Sequence, residues 1–296
     1  MSKLLQPDIL VRAEALGLAA RQVVEGLRVG DHKSPFRGFS VEFVQHREYV
    51  PGDDIRHIDW KSYGRSERYT VKQYEQETNF VGHLLVDTSN SMRYGEGSEN
   101  KLEYAKLLAA SLAYTIIKQR DSASLRTFDD KWRTELPASG NMMHVTTICR
   151  TLQDANAAEK TSMGSLMQLF VEQIARKGIV FLISDCFDEV PDLLNALRQL
   201  RFRGHEVVLF HVLHRDEIEF PLDGNIRFMN LEGAEELMAR PHLLRPSYLR
   251  IVEAYLSELR DGCDGSRIEY VQMRTDRSLA AALGEYLVRR LQQGRG

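Results

Sequence analysis

The chain has 296 residues, with 39 Lys and Arg against 42 Asp and Glu, and a net charge of −3. This balance excludes a strongly basic chain, so neither nucleic acid nor an anionic membrane is expected as a partner. The three separated cysteines predict free thiols in a reducing compartment. No apolar run approaches the roughly 18 residues that cross a bilayer. We therefore expect no membrane span and a cytoplasmic location.

Residues 1–79 are predicted to form a small N-terminal module. Apolar residues spaced by three and four from Ile9 to Leu27 predict an amphipathic helix. Residues 40–50 and 69–74 have the composition of two strands, and a charged turn lies between them. The first part of the chain is therefore expected to be a helix-plus-strand module with a polar connection.

From residue 80 onward, strand patterns alternate with helical patterns. The strand patterns cover residues 81–86, 122–128, 179–184, 207–213 and 267–273. The second and fifth alternate between apolar and polar positions, which predicts that they lie nearer the sheet edges. The order predicts an α/β fold, a doubly wound and mostly parallel sheet flanked by helices over residues 80–296. A mostly helical insertion is expected near residues 214–265.

Oxygen-bearing side chains follow two of the buried strand patterns. Asp87, Ser89 and Ser91 come at alternate positions after the first, and Asp185 directly follows residues 179–184. Hard divalent cations choose oxygen ligands, and open α/β sheets bind ligands at the carboxyl ends of their strands. Thr161, in a turn before a helical pattern, supplies one more hydroxyl. These segments are expected to meet around one cation; the alternative is that the hydroxyls only cap helices and turns.

A second motif is the charged turn. It carries Arg47, Asp53, Asp54, Arg56, Asp59 and Trp60. Arginine pairs bidentately with carboxylates, so the two arginines are expected to lock the aspartates of the turn in place. Trp60 is expected to anchor the turn on the core. The alternative is an enzyme site in which the aspartates act as acid, base or metal ligands.

The first motif resembles the metal-ion-dependent adhesion site of von Willebrand factor A domains. Asp87, Ser89 and Ser91 match its first segment, including the methionine that follows, and Thr161 matches its threonine loop. Asp185 matches the aspartate of its Thr-Asp-Gly segment, where this chain has Ser184 and Cys186 as neighbours. The resemblance implies Mg²⁺ or Mn²⁺ at these residues, with an open position for an acidic side chain of a partner.

The charged turn, Arg-x-Tyr-x-Pro-Gly-Asp-Asp-x-Arg-x-Ile-Asp-Trp, resembles the bacterial DUF58 family, whose members combine it with a von Willebrand factor A-like domain. This resemblance implies association with MoxR-type AAA+ ATPases. The preferred hypothesis is a non-enzymatic, metal-dependent adaptor that binds such an ATPase, or its client protein, during assembly or maturation. Two alternatives remain open. One is a metal-dependent hydrolase helped by Asp53 or Asp59, and the other is a scaffold whose site is vestigial.

Overall fold

A computed structural model describes residues 42–50, 60, 63–64, 69–75, 80–157, 163–174, 176–224, 226–229 and 236–293. The helix predicted near the N-terminus lies outside these residues, as does most of the charged turn. The described chain divides into two compact units, one ending at Phe80 and the other beginning at Val81. The division into residues 1–79 and 80–296 stays a prediction.

The smaller unit contains an antiparallel strand pair. Strands β1 (Glu42–Glu48) and β2 (Thr70–Glu75) pair with Glu48 opposite Thr70, and a register shift occurs near Phe43. The two strands predicted in this region are therefore confirmed.

Trp60 belongs to an aromatic cluster in the smaller unit. Its ring meets Tyr63 edge-on at 6.3 Å between centroids, and Tyr63 stacks on Tyr69 at 4.5 Å. Its side chain is 62% exposed. The prediction that Trp60 anchors the turn on the core is wrong, because the indole rests on one tyrosine edge and leaves most of its surface in solvent.

The larger unit contains a six-stranded sheet and a separate hairpin. Its strands are β3 (Val81–Asp87), β4 (Ser122–Phe128), β5 (Trp132–Ser139), β6 (Gly178–Ser184), β7 (Glu206–Leu213), β8 (Ile226–Met229), β9 (Glu236–Ala239) and β10 (Glu269–Arg274). The sheet order is β10-β7-β6-β3-β4-β5, and β8 pairs with β9. All pairs in the sheet are parallel except β4 with β5. The predicted mostly parallel sheet is confirmed.

Helices cover both faces of this sheet. They are α1 (Lys101–Lys118), α2 (Met142–Asp154), α3 (Met163–Gln173), α4 (Val190–Phe202), α5 (Arg215–Glu219), α6 (Pro241–Gly265) and α7 (Leu279–Gln293). On one face Val180 and Leu182 share a core cluster with residues of α3 and α4. On the other, Phe210 meets Tyr286 of α7 at 5.1 Å between ring centroids. The doubly wound arrangement is therefore confirmed.

The positions of the strands explain their patterns. Strands β3 and β6 are buried at every residue, as expected for interior parallel strands covered on both faces. Strand β10 is at one edge, as predicted. Strand β4 also lies nearer an edge than β3, as predicted, but it is not the edge strand itself, because β5 pairs outside it. Strand β5 is largely exposed and contains Pro137, which edge strands tolerate.

The region around residues 214–265 holds more than helix. It contains the short α5, the β8–β9 hairpin and the long α6. Every helix in the described ranges is too short or too polar to cross a lipid bilayer. Helix α5 begins directly after the carboxyl end of β7, so it lies at the edge of the sheet where the strand ends meet.

Candidate functional site

Two buried carboxylates meet at the carboxyl ends of β3 and β6. These neighbouring strands pair in parallel with Val86 opposite Ile183, which places Asp87 beside Ser184 and one residue from Asp185. Both aspartates are buried. The Ser184 hydroxyl donates a hydrogen bond to Asp87 Oδ2 at 2.5 Å. Two of the segments predicted to carry the site therefore lie together.

The turn after β3 brings two hydroxyls next to Asp87. The backbone N–H of Ser89 donates to Asp87 Oδ1 at 2.8 Å, and the Oγ atoms of Ser89 and Ser91 lie 3.0 Å apart. Met92 fills the core below the turn and is fully buried. Thr88 turns away, because its hydroxyl donates to the Phe128 carbonyl of β4 at 2.9 Å. The alternate spacing of the motif thus places both serine hydroxyls on one side.

A lysine occupies the Asp185 side of the site. Lys101 begins α1, and its Nζ donates to Asp185 Oδ2 at 2.8 Å and to Glu217 Oε1 at 2.6 Å. The Lys101 side chain is 1% exposed. Sequence reasoning missed Lys101 and Glu217, because neither lies in a motif and they come from helices far apart in the chain. Asp185 therefore has a cation supplied by the protein itself.

The two aspartates have opposite pKa shifts. Burial and the nearby charge of Asp185 raise the pKa of Asp87 to about 7. Burial also opposes ionisation of Asp185, but the Lys101 ammonium outweighs it and holds the pKa of Asp185 below its ordinary value. Burial would lower the pKa of Lys101, yet Asp185 and Glu217 together raise it. Lys101 and Asp185 are therefore a charged pair at neutral pH.

Glu217 links this pair to α5. Its Oε2 accepts a hydrogen bond from the backbone N–H of His214 at 2.7 Å, while the His214 side chain accepts from the Asp216 N–H at 3.1 Å. These reciprocal bonds form a capping box, which stabilises a helix start. The Tyr94 hydroxyl donates to Asp216 at 3.0 Å. The Glu217 carboxylate therefore both caps α5 and holds the Lys101 ammonium in place.

Cys186 stands where the adhesion-site motif has glycine. Its φ is +54°, in the left-handed region that favours glycine. Its N–H donates to Ser184 Oγ at 2.9 Å, and its carbonyl accepts a hydrogen bond from the Tyr255 hydroxyl. These contacts hold the loop in the conformation that glycine adopts easily. The cysteine therefore preserves the turn that follows Asp185.

His211 supports the same loop from β7. Its Nε2–H donates to the Asp185 carbonyl at 2.8 Å, and its Nδ1 pairs with the Tyr270 hydroxyl at 2.9 Å. Burial lowers the pKa of His211 to about 4, so the ring is neutral at pH 7. His211 therefore has a structural role in holding this loop.

The donor atoms on the Asp87 side suit a hard divalent cation. Mg²⁺ takes oxygen ligands in an octahedron at about 2.0–2.1 Å, so neighbouring ligands lie about 3 Å apart. The hydroxyls of Ser89 and Ser91 are hydrogen-bonded to each other at 3.0 Å, a separation that neighbouring ligands of Mg²⁺ also have. In the described ranges His, Cys, Asp and Glu form no cluster of three that suits a metal, so a cation here depends on the hydroxyls. Asp87, Ser89 and Ser91 are the residues that would hold it, with Asp185 behind them.

The structure leaves three parts of the predicted site untested. Thr161 lies outside the described residues. Helix α3 begins at Met163, where Asp188 Oδ2 accepts hydrogen bonds from the N–H groups of Met163 and Gly164 at 2.8 and 3.3 Å. The position of Thr161 relative to a cation stays a prediction.

The charged turn is the second untested part. Arg47 lies in β1 opposite Val71. The other charged residues of the turn lie outside the described residues; they are Asp53, Asp54, Arg56 and Asp59. Their predicted ion pairs stay predictions. The third is the hydrolase alternative, because it depends on Asp53 or Asp59 and both lie outside the described residues.

Comparison with known proteins gives one family and several distant likenesses. The family model described as "Protein of unknown function DUF58" matches residues 45–254. Uncharacterized proteins of Mycobacterium tuberculosis and Mycobacterium bovis are each 24% identical over 288 residues, which cover 96% of this chain and 90% of the relative.

Solved structures with lower identity are also similar. BatB from Bacteroides thetaiotaomicron, described as a conserved hypothetical protein, is 17% identical, with 72% of this chain and 99% of that chain covered and a TM-score of 0.47. The von Willebrand factor domain of the pilus tip protein Mfa5 from Porphyromonas gingivalis is 11% identical, with 73% and 95% covered and a TM-score of 0.39. The fold of this chain is established by its own sheet order.

Proposed function

This chain belongs to the DUF58 family of proteins of unknown function, and from that premise we propose that it is a metal-dependent protein-interaction module. Mg²⁺ or Mn²⁺ at Asp87, Ser89 and Ser91 binds an acidic side chain of a partner. The partner is a MoxR-type AAA+ ATPase or a client protein of that ATPase, and the chain acts as an adaptor in assembly or maturation.

The observation that supports this proposal is the pair of serine hydroxyls beside a buried carboxylate. The two oxygens are 3.0 Å apart and follow Asp87 on the same turn. Neutral hydroxyl ligands leave much of the positive charge on a divalent ion, and such an ion attracts a further carboxylate ligand. An acidic residue of a protein partner has the chemistry to complete this site.

The surroundings of the site also suit a protein partner. Phe187 follows the Asp185 loop and is 73% exposed, while its backbone N–H donates to Asp185 Oδ1 at 3.3 Å. An exposed aromatic ring beside a polar site is typical of protein interfaces, where aromatic residues are enriched. Phe187 supplies the apolar contact that an isolated ion lacks.

A retention experiment tests this function. The full chain is immobilised and exposed to the purified MoxR-type ATPase of the same organism, with Mg²⁺ or with a chelator. We expect retention with Mg²⁺, loss with the chelator, and loss in the variants Asp87→Ala and Ser91→Ala. Ser98→Ala is the matched control, because this exposed serine lies in the same segment. Retention that the chelator does not change would overturn the proposal.

The Lys101–Asp185 pair favours a second candidate, a scaffold that uses no metal. In that function the ammonium is the cation of the site and the pair serves stability alone. Thermal unfolding with added Mg²⁺ or Mn²⁺ separates the two. The interaction module gains thermal stability that Asp87→Ala removes, whereas the scaffold shows no shift with either ion.

A further inference from the structure

A groove of about 700 Å³ runs beside the edge of the sheet that is farthest from β5. The strand at this edge is β10, which pairs only with β7 in the described part of the chain. The other walls come from α7, from Arg277 in the turn before it, and from Arg260 of α6. The ion site does not share any of these residues, so the groove is a separate feature of the larger unit.

The groove lies along the edge of β10 and not on one face. Five consecutive residues, 270–274, line it. Successive side chains of a strand point to opposite faces, so a cavity that touches all five follows the backbone edge. Opposite β10, α7 presents Ala281 and Ala282, whose small side chains leave room for an added chain.

The backbone of β10 offers hydrogen-bonding groups to this groove. The Thr275 N–H donates to the Leu213 carbonyl of β7 at 3.0 Å. Alternate residues of a strand present their backbone groups to the same side, so Tyr270 and Gln272 present theirs to the groove. No described residue bonds these groups. Such an edge is a template for a further strand.

The side chains around the groove are mainly basic. Four arginines line it against one glutamate, Glu285. Arg274 is already paired with Asp276 and Glu219, each at 2.7 Å. The others are exposed, with Arg289 only loosely paired at 3.8 Å from Glu269, and Arg260 lying 5.8 Å over the Tyr270 ring. Exposed arginines beside a free strand edge select a segment with acidic side chains.

We propose that an extended acidic segment of a partner protein binds this groove as an added strand on β10. The backbone edge supplies the ladder hydrogen bonds, and Arg260, Arg277 and Arg289 recognise acidic side chains. Five residues of strand span about 16 Å, so the segment needs about five residues. A second copy of β10 fits less well, because Glu269 is the only acidic side chain of that strand and is already paired with Arg290 at 2.8 Å.

A binding measurement tests the groove independently of the ion site. The probe is a fluorescein-labelled six-residue peptide of alternating Glu and Val, mixed with the full chain in chelator and followed by fluorescence anisotropy. We expect saturable binding that weakens at least about tenfold in Arg277→Ala/Arg289→Ala. Arg250→Ala is the matched control, because it removes an exposed arginine of α6 outside the groove. We expect no change in this control.

A second peptide tests the mode of binding without altering the protein. It has the same side chains but is N-methylated at alternate residues, which removes ladder donors. Binding lost on N-methylation supports strand addition. Equal binding of both peptides overturns it, and complete displacement by inorganic phosphate would then identify a simple anion site. Binding that the double arginine variant leaves unchanged also overturns the proposal. Self-association of the chain through β10, seen by light scattering and abolished by the peptide, would identify a second copy as the occupant and overturn it.

Discussion

Asp87 and Asp185 are the same residue type at the ends of neighbouring strands, both buried, yet their environments are opposite. Asp87 accepts hydrogen bonds from the Ser89 N–H and the Ser184 hydroxyl, and its pKa rises to about 7. Asp185 pairs with the Lys101 ammonium, and its pKa falls below the ordinary value. The difference follows mainly from Lys101 of helix α1, whose ammonium pairs with Asp185 and lowers its pKa.

This division assigns different roles to the two halves of the site. The Asp185 half, with Lys101 and Glu217, holds the structure together. The Asp87 half, with the Ser89 hydroxyl, is the half proposed to bind a divalent ion, together with Ser91, whose hydroxyl also helps to lower the pKa of Asp185. Variants that exchange or remove these environments test the contrast, beginning with the largest expected change in stability.

Lys101→Met removes the cation of the Asp185 half. A methionine retains the packing volume but leaves Asp185 and Glu217 as uncompensated carboxylates, and breaking a buried pair from one side costs about 3–5 kcal/mol. Urea unfolding at pH 7 measures the change. Lys106→Met is the matched control on the same helix. Lys106 pairs with Glu103 at 2.9 Å, and the Glu103 side chain is half exposed. That control is expected to lose less than about 1 kcal/mol.

The double variant Lys101→Met/Asp185→Asn sharpens this result. It removes both charges of the pair, so part of the stability lost in the single variant should return. A single variant as stable as the native chain would show that Asp185 does not depend on Lys101, and the contrast between the two halves would fail.

Asp87→Asn is expected to stabilise the chain when no divalent ion is present. The folded state binds the Asp87 proton more tightly than the unfolded state, so ionisation destabilises the fold increasingly as pH rises from about 4 to 7. Above pH 7 the destabilisation caused by ionised Asp87 is complete. Replacing the carboxylate with a neutral amide is expected to raise the free energy of unfolding by about 2–4 kcal/mol. Urea unfolding at pH 8 in chelator measures the gain.

Asp185→Asn is the comparison for that experiment. It takes the anionic partner from Lys101 and should destabilise the chain under the same conditions. Stabilisation by both substitutions, or by neither, would contradict the assignment of opposite environments.

His83 gives a pH dependence of the opposite sign to that of Asp87. Burial lowers the pKa of His83 to about 4, while its ring bonds the Ser124 hydroxyl at 2.9 Å. The unfolded state therefore binds the His83 proton more tightly than the folded state does. The contribution of neutral His83 to the free energy of unfolding is complete above pH 6.5 and is lost as pH falls towards 4. His83→Gln should flatten this fall by about 2 kcal/mol, as measured by unfolding at pH 7 and pH 4.5. An unchanged slope would show that His83 does not titrate with folding.

Cys186→Gly is expected to have the smallest effect. Glycine relieves the left-handed φ of +54° but removes a buried side chain from the core. These contributions oppose each other, so the unfolding free energy should change by less than about 1 kcal/mol. Thermal unfolding measures it. A loss above about 2 kcal/mol would show that packing of the thiol, and not the turn, determines this position.

The sequence predicted the central strands and the local part of the site, because both have short-range signals. Buried apolar runs identified β3, β6 and β7, and strand ends identified Asp87 and Asp185. Strand β5 was missed because its exposed pattern with Pro137 resembles a loop.

Other features depend on the tertiary fold. Lys101 and Glu217 are 116 residues apart and meet only when α1 and α5 converge at the carboxyl edge of the sheet. Trp60 was misplaced because large aromatic side chains are usually highly buried, whereas this one packs on Tyr63 at the surface. The spacing of neighbouring residues predicts neither a contact between distant helices nor the exposure of a single aromatic side chain.

Mn²⁺ binding to the full chain, followed by electron paramagnetic resonance, decides whether the Asp87 half holds an ion. The proposal predicts a single saturable Mn²⁺ site that is lost in Asp87→Ala and in Ser89→Ala/Ser91→Ala, and retained in Ser98→Ala. A chain that binds no Mn²⁺, or binds it equally in all of these variants, would contradict the proposal.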